Sequence, residues 1–199
     1  FSSPALTTWT WPTQPHQVLT TEHGLTIGLP TAAGLTRALV LVSAEQAAAV
    51  CTQLLTGLNL ASSAAWEALE IQAGIPQIVS ATREQFVPQM VNLDALHGIN
   101  FKKGCYTGQE IVARTHYLGK VKRRTLLARL PASPQAPQPG DVLLDSQQQA
   151  AGQLVRVAPA PSSGGWWLLA ECRLEAKEAG TITWQGVPLQ FEPLPYALS

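Results

Sequence analysis

Charged side chains are scarce in this 199-residue chain: Asp, Glu, Lys and Arg make up 13%, against 46% hydrophobic residues. That ratio excludes an intrinsically disordered chain, which lacks the apolar surface needed to offset ordering. It leaves enough for a substantial core. Long apolar runs are missing as well. None approaches the roughly 20 residues that a membrane-spanning helix requires. Residues 1–15 lack the basic-then-apolar pattern of a signal peptide, and the chain begins at Phe1 rather than Met. Cysteine occurs only at positions 51, 105 and 172, with no metal-ligand spacing and no evident disulfide framework. A reducing cytoplasm is the natural compartment for such a chain.

Net charge is absent too, with 13 basic and 13 acidic residues, but the two signs are unevenly placed. Residues 102–124 hold seven of the basic side chains (Lys102, Lys103, Arg114, Lys120, Lys122, Arg123, Arg124) against Glu110 alone. Such a stretch attracts anions: a glutamate tail, a phosphate, RNA or an acidic partner. Read as Lys120–Arg124 alone, it is a solvated hairpin face. That run has no interleaved aromatic residues and the chain as a whole is not basic, so direct nucleic-acid binding is not expected.

Within the basic stretch lies Lys102-Lys103-Gly104-Cys105-Tyr106-Thr107-Gly108-Gln109-Glu110. Thr107 and Glu110 have capping-box spacing, predicting a helix from Gly108 to about Tyr117. Cys105 then sits in the turn before it, where the helix dipole and the two lysines would favour a thiolate. Gly104 and Gly108 let the backbone turn sharply or approach a ligand. A small core cysteine behind solvated lysines is the plainer alternative, and one cysteine is not a site. His116 follows Cys105 by eleven residues, so contact between them needs the turn to fold back. His97 has no partner at ligand spacing and reads as a surface residue.

The rest of the chain supplies a frame. Residues 1–16 read as an irregular lead-in. Val18–Thr21 and Leu25–Leu29 flank Glu22-His23-Gly24 as a hairpin, and Ala38–Val42 is a further strand. A helix starts at Ser43, with Ala47, Val50, Cys51, Leu54 and Leu55 as its apolar stripe, and stops at Gly57, which assigns Cys51 to the core. A second helix spans Ser63–Ala73, with Trp66, Leu69 and Ala73 on one face, closed by Gly74. Asn92 or Asp94 caps a short helix ending at Gly98. Beyond Lys120 come short blocks: Arg124–Leu130, Asp141–Leu144, Ala151–Ala158, Trp166–Arg173, Gly180–Trp184 and Val187–Phe191. Gly, Pro or Ser separates them, as in a small antiparallel barrel. Cys172, Trp166, Trp167 and Trp184 read as barrel packing or rim.

The motif Lys103-Gly104-Cys105-Tyr106-Thr107-Gly108-Gln109-Glu110, followed by Ile111-Val112-Ala113-Arg114, resembles the signature of the YgfZ family. These are folate-binding proteins similar in fold to the aminomethyltransferase (T protein) of the glycine cleavage system. Trp66 to Gly74 with Ile75-Pro76, Gln85-Phe86-Val87-Pro88-Gln89, Asn92-Leu93 and Glu192-Pro193-Leu194-Pro195-Tyr196 extend the resemblance over nearly the whole chain from about Gln17. Family members carry a further N-terminal segment, so this chain resembles the C-terminal part of a longer protein.

The resemblance implies an α+β fold in which the C-terminal part of a folate-binding α/β domain (residues 1–118) precedes a small antiparallel β-barrel (residues 119–199). It implies tetrahydrofolate as ligand, with Trp66 against the pterin and Gly104 and Tyr106 at the site. Lys103 and Cys105 become the residues for chemistry, as nucleophile, redox thiol or transient iron ligand. Because a cluster normally takes four ligands, one thiolate does not hold it, and no metal site is expected. The implied role is support of iron–sulfur enzymes, including those that thiomethylate tRNA, as a binding or accessory protein more than an enzyme. A folate-dependent aminomethyltransferase and a non-catalytic scaffold fragment are the alternatives. The aminomethyltransferase branch tends to carry Arg and Glu where this chain has Glu70 and Gln72, which counts against that chemistry.

Overall fold

The computed structural model describes residues 9–119, 121–160 and 164–198. The first eight residues of the expected lead-in, and Lys120 of the basic run, lie outside them. The chain divides into two compact units, Phe1–Trp66 and Glu67–Ser199.

In the first unit, β1 (Val18–Thr21), β2 (Gly24–Ala32) and β3 (Leu35–Leu41) form an antiparallel sheet in the order β1-β2-β3. The expected hairpin is present, with Thr21 opposite Gly24. The helix α1 (Ala44–Leu55) follows with Ser43 as N-cap, although the Ser43 hydroxyl does not bond the first-turn amides. Val50 is buried in a cluster with Trp9, against which Trp11, Val40, Val42, Leu54 and Leu58 pack. Cys51 does not belong to that cluster. It is exposed, contrary to its assignment to the core. One residue along a helix is a rotation of about 100°, so a stripe centred on Val50 and Leu54 leaves the next position at its margin.

The helix α2 (Ser63–Gln72) ends in a left-handed Gly74 (φ 71°), whose amide donates to the Ile71 carbonyl while Ile75 donates to that of Glu70. This paired pattern is a Schellman stop, as the glycine signal predicts. In the second unit, a sheet ordered β10-β4-β7-β6-β5-β8-β9 curls into a nearly closed antiparallel barrel. Its strands are β4 (Arg123–Leu130), β5 (Val142–Leu144), β6 (Ala150–Ala160), β7 (Gly165–Arg173), β8 (Thr183–Trp184), β9 (Val187–Pro188) and β10 (Gln190–Glu192).

The expected strand blocks recur with two changes. Residues 174–179 form a short helix before a fifth block shortened to Thr183–Trp184, and the last block divides around Leu189. Ala128, Leu130, Leu154, Leu168, Ala170 and Cys172 fill the barrel interior. Leu127, Val155, Ala158 and Leu169 pack outward with Ala68 and Ile71 of α2 and with Val91. Two covered faces explain why β4, β6 and β7 read as apolar runs rather than alternating strands.

Candidate functional site

The segment leading to the motif is anchored from below. Pro88–Val91 is a 3-10 turn closed by Asn92 in the left-handed conformation (φ 61°), in place of the short helix expected there. Asn92 is fully buried because its amide donates to the Thr125 carbonyl at 2.6 Å and to the Tyr196 hydroxyl at 3.2 Å. The Tyr196 hydroxyl in turn donates to the Gly74 carbonyl at 2.7 Å, and burial raises its pKa. Gln89 donates to the Val112 carbonyl at 2.7 Å, which ties this turn to the helix after the motif. Arg124 is 2% exposed and pairs with the buried Asp94 at 2.6 Å, while also donating to the Gln89 carbonyl at 3.0 Å. Arg123 forms two bonds with the buried Glu171, and the hydrogen bond to that carboxylate raises the guanidinium pKa. Two cations of the expected solvated hairpin face are therefore committed to buried carboxylates, Arg124 being itself buried and Arg123 partly exposed.

Above these anchors the motif is open. Asn100 turns the chain by accepting the Lys102 and Lys103 amides on its side-chain oxygen, at 2.9 and 3.1 Å. Lys102, Lys103, Gly104 and Cys105 are exposed, and Cys105 is a free thiol. A Cβ built on Gly104 meets nothing within 4 Å. The helix α3 (Gln109–Leu118) begins close to where the capping signal puts it, but through a different device. Its N-cap is Gly108, left-handed at φ 84°, and no side chain caps it. The Thr107–Glu110 box does not form, because the glycine turn moves the cap one residue past Thr107. Glu110 nonetheless stands in the first turn, where a carboxylate complements the dipole.

Lys103 extends its ammonium over the Tyr106 ring, 4.8 Å from the centroid. Both residues line a cavity of about 130 Å³ with Pro88, Leu93, Asn100 and Val112. Small-molecule sites usually enclose about 300–1,000 Å³. The cavity therefore admits one end of a folate-sized molecule, not the whole. His116 makes no hydrogen bond with Cys105. It stacks on Phe101 at 3.9 Å and 16°, with Tyr117 edge-on at 4.7 Å. Sequence spacing gave no hint of this three-ring cluster. His97 is exposed, as expected.

Trp66 belongs to the first unit. It is 39% exposed, with the Arg37 guanidinium 5.3 Å from its ring centre, so it is not the core tryptophan its helical stripe suggests. Glu70 and Glu67, in the second unit, both hold Arg156, and Gln72 donates to the Ala68 carbonyl of its own helix. The acidic residue standing where aminomethyltransferases tend to have arginine thus serves an ion pair with the barrel. Cys172 is fully buried, and burial raises its pKa to about 12. Among the described residues no group of three or more His, Cys, Asp or Glu could hold a metal ion, and no helix is long and apolar enough to cross a membrane.

No family model matches the chain. It is 37% identical over 173 residues to the tRNA-modifying protein YgfZ of Pectobacterium carotovorum, covering 82% of this chain and 50% of that protein. The tRNA-modifying protein YgfZ of Cronobacter sakazakii is 36% identical over 173 residues, with 81% and 51% covered. The chain thus spans about half the length of the curated relatives it matches. Among solved structures, the glycine cleavage system aminomethyltransferase T from Bartonella henselae superposes with a TM-score of 0.54 at 18% identity, covering 85% of this chain and 49% of that one. That likeness establishes the fold.

Proposed function

From a chain that belongs to the YgfZ family along the stretch it shares, we propose a folate-binding accessory role in tRNA modification, exercised through iron–sulfur enzymes such as those that thiomethylate tRNA. The observation that carries this reading is the setting of Cys105: an exposed, unbridged thiol beside a glycine with open space around it. Lys103, two residues before it, lines a cavity. A structural cysteine needs none of these. Cys105 acts as the reactive group and Lys103 as the cation that draws an anionic ligand group. Gly104 leaves room for the approach, and Tyr106 forms the cavity wall. In the first unit, Trp66 has an exposed ring suited to stacking against a pterin.

Tetrahydrofolate is the ligand to test. Titration into the 199-residue chain should quench tryptophan fluorescence with saturation, and Trp66→Phe should remove most of that signal. An unchanged spectrum overturns the folate reading. Replacing the matching half of a YgfZ protein with this chain, carrying either Cys105 or Cys105→Ala, then tests the thiol. Equal levels of thiomethylated nucleosides in tRNA from both forms overturn its role.

A further inference from the structure

The Lys120–Arg124 run lacks interleaved aromatics, but the wider basic stretch carries Tyr117, and folding gathers further rings around it. Phe101, immediately before the two lysines, is brought against His116 and Tyr117 on α3, so that three rings stand beside Lys102, Lys103 and Arg114. Phe101 and His116 lie nearly parallel at 3.9 Å, and Tyr117 stands across both, 6.2 Å from Phe101 and 4.7 Å from His116. Tyr117 is 67% exposed, and His116, Arg114, Lys102 and Lys103 are exposed as well. Arg114 and Tyr117 are three residues apart on one helix and so share a face. Among the described residues no carboxylate forms an ion pair with Lys102, Lys103 or Arg114, whereas Arg123 and Arg124 are both spent on buried partners.

We propose that the surface formed by Phe101, His116 and Tyr117 with Lys102 and Arg114 binds single-stranded RNA, one unpaired base continuing the ring stack and the flanking phosphates meeting the cations. Base stacking on exposed aromatics combined with a positively charged track is the mode by which unpaired strands are held. A duplex would offer phosphates but no free base face, so the rings would have nothing to do. An acidic protein segment would satisfy the cations but gain little from a stacked pair with a third ring across it. None of Phe101, His116, Tyr117, Lys102 and Arg114 lines the cavity at Lys103 and Tyr106, and the proposal stands whether or not the chain binds folate.

The test is fluorescence anisotropy with a fluorescein-labelled 12-nucleotide single-stranded RNA, its duplex form and a polyglutamate peptide, using the 199-residue chain at low salt. The single strand should bind more tightly than the duplex. Tyr117→Ala should weaken it by about tenfold and Tyr117→Phe by less than about twofold. Lys102→Ala and Arg114→Ala should each flatten the dependence of log affinity on log salt by about 0.7. On the unmodified chain, photocrosslinking to a 4-thiouridine strand should map to residues 101–117, which tests the site independently of any variant's folding. No binding, duplex binding as tight as single-strand binding, or crosslinks confined elsewhere would each overturn the proposal. So would polyglutamate binding that depends on Tyr117, which would assign the surface to an acidic protein.

Discussion

Around Cys105 the backbone from Gly98 to Gly108 is held by a few turn bonds, two of them to one asparagine side chain, and residues 102–105 are exposed. Around Cys172 the chain is paired on both edges, with Arg124 of β4 opposite on one side and Gly152 of β6 on the other. A Cβ at Gly152 would run into the backbone there, while one at Gly104 would touch nothing. The same side chain is thus sealed in one place and presented in the other. What presents the motif is not its own bonding but the buried supports below it, Gln89, Asn92, Asp94 and Arg124. A mobile or reactive loop set on a rigid base is the usual division of labour between stability and function.

The two thiols give the largest contrast. Iodoacetamide under native conditions should label Cys105 at least about a hundredfold faster than Cys172, whose reaction waits for the barrel to open. Cys51 is the sharper control, because it is exposed on a helix with no lysines or glycines beside it. If Cys105 outpaces Cys51 in peptide-resolved mass spectrometry, its setting activates it. Equal rates at the two would reduce the motif thiol to an accessible one.

The supports come next. Arg124→Ala leaves the Asp94 carboxylate buried without its partner, and removing one member of a buried pair costs about 3–5 kcal/mol. Lys102→Ala, only eight residues from Asp94 along the chain but on the open surface, should stay within about 0.5 kcal/mol of the parent. Urea unfolding midpoints measure both. Similar losses would mean that the loop carries stability after all, and the division between base and loop would fail.

Legibility in sequence followed the same division. The barrel strands, the Gly74 stop and the hairpin at Thr21–Gly24 announced themselves, because turn residues and apolar runs act locally. Asn92 did not: a helix cap was expected, while its amide is used across 33 residues of chain to hold β4. Arg123 and Arg124 looked like surface charge because their partners, Glu171 and Asp94, lie 48 and 30 residues away. The ring cluster was hidden for the same reason, since Phe101 and His116 meet only when the motif turn folds back. At the motif, residue types and spacing pointed to an exposed thiol ahead of a helix. The Gly108 cap was mistaken for a Thr107 cap because both devices place the helix start within one residue of each other.

The smallest effects lie in the glycines, and they separate two reasons for having no side chain. Gly74 is left-handed, and a Cβ there would meet the Tyr196 ring at 2.5 Å. Gly74→Ala should therefore cost more than the roughly 1–2 kcal/mol of the backbone conformation alone, because it also displaces the hydroxyl that bonds Asn92. Gly108→Ala has the backbone penalty without a clash and should lose about 1 kcal/mol. Gly104 has neither, since it is not among the left-handed glycines and stands in open space. Gly104→Ala should leave thermal unfolding unchanged within about 0.5 kcal/mol while slowing alkylation of Cys105 by bulky maleimides more than by iodoacetamide. A neutral stability with size-dependent access would mean that this glycine serves what approaches the sulfur. A loss like that of Gly108→Ala would return Gly104 to the backbone and leave the thiol without its open side.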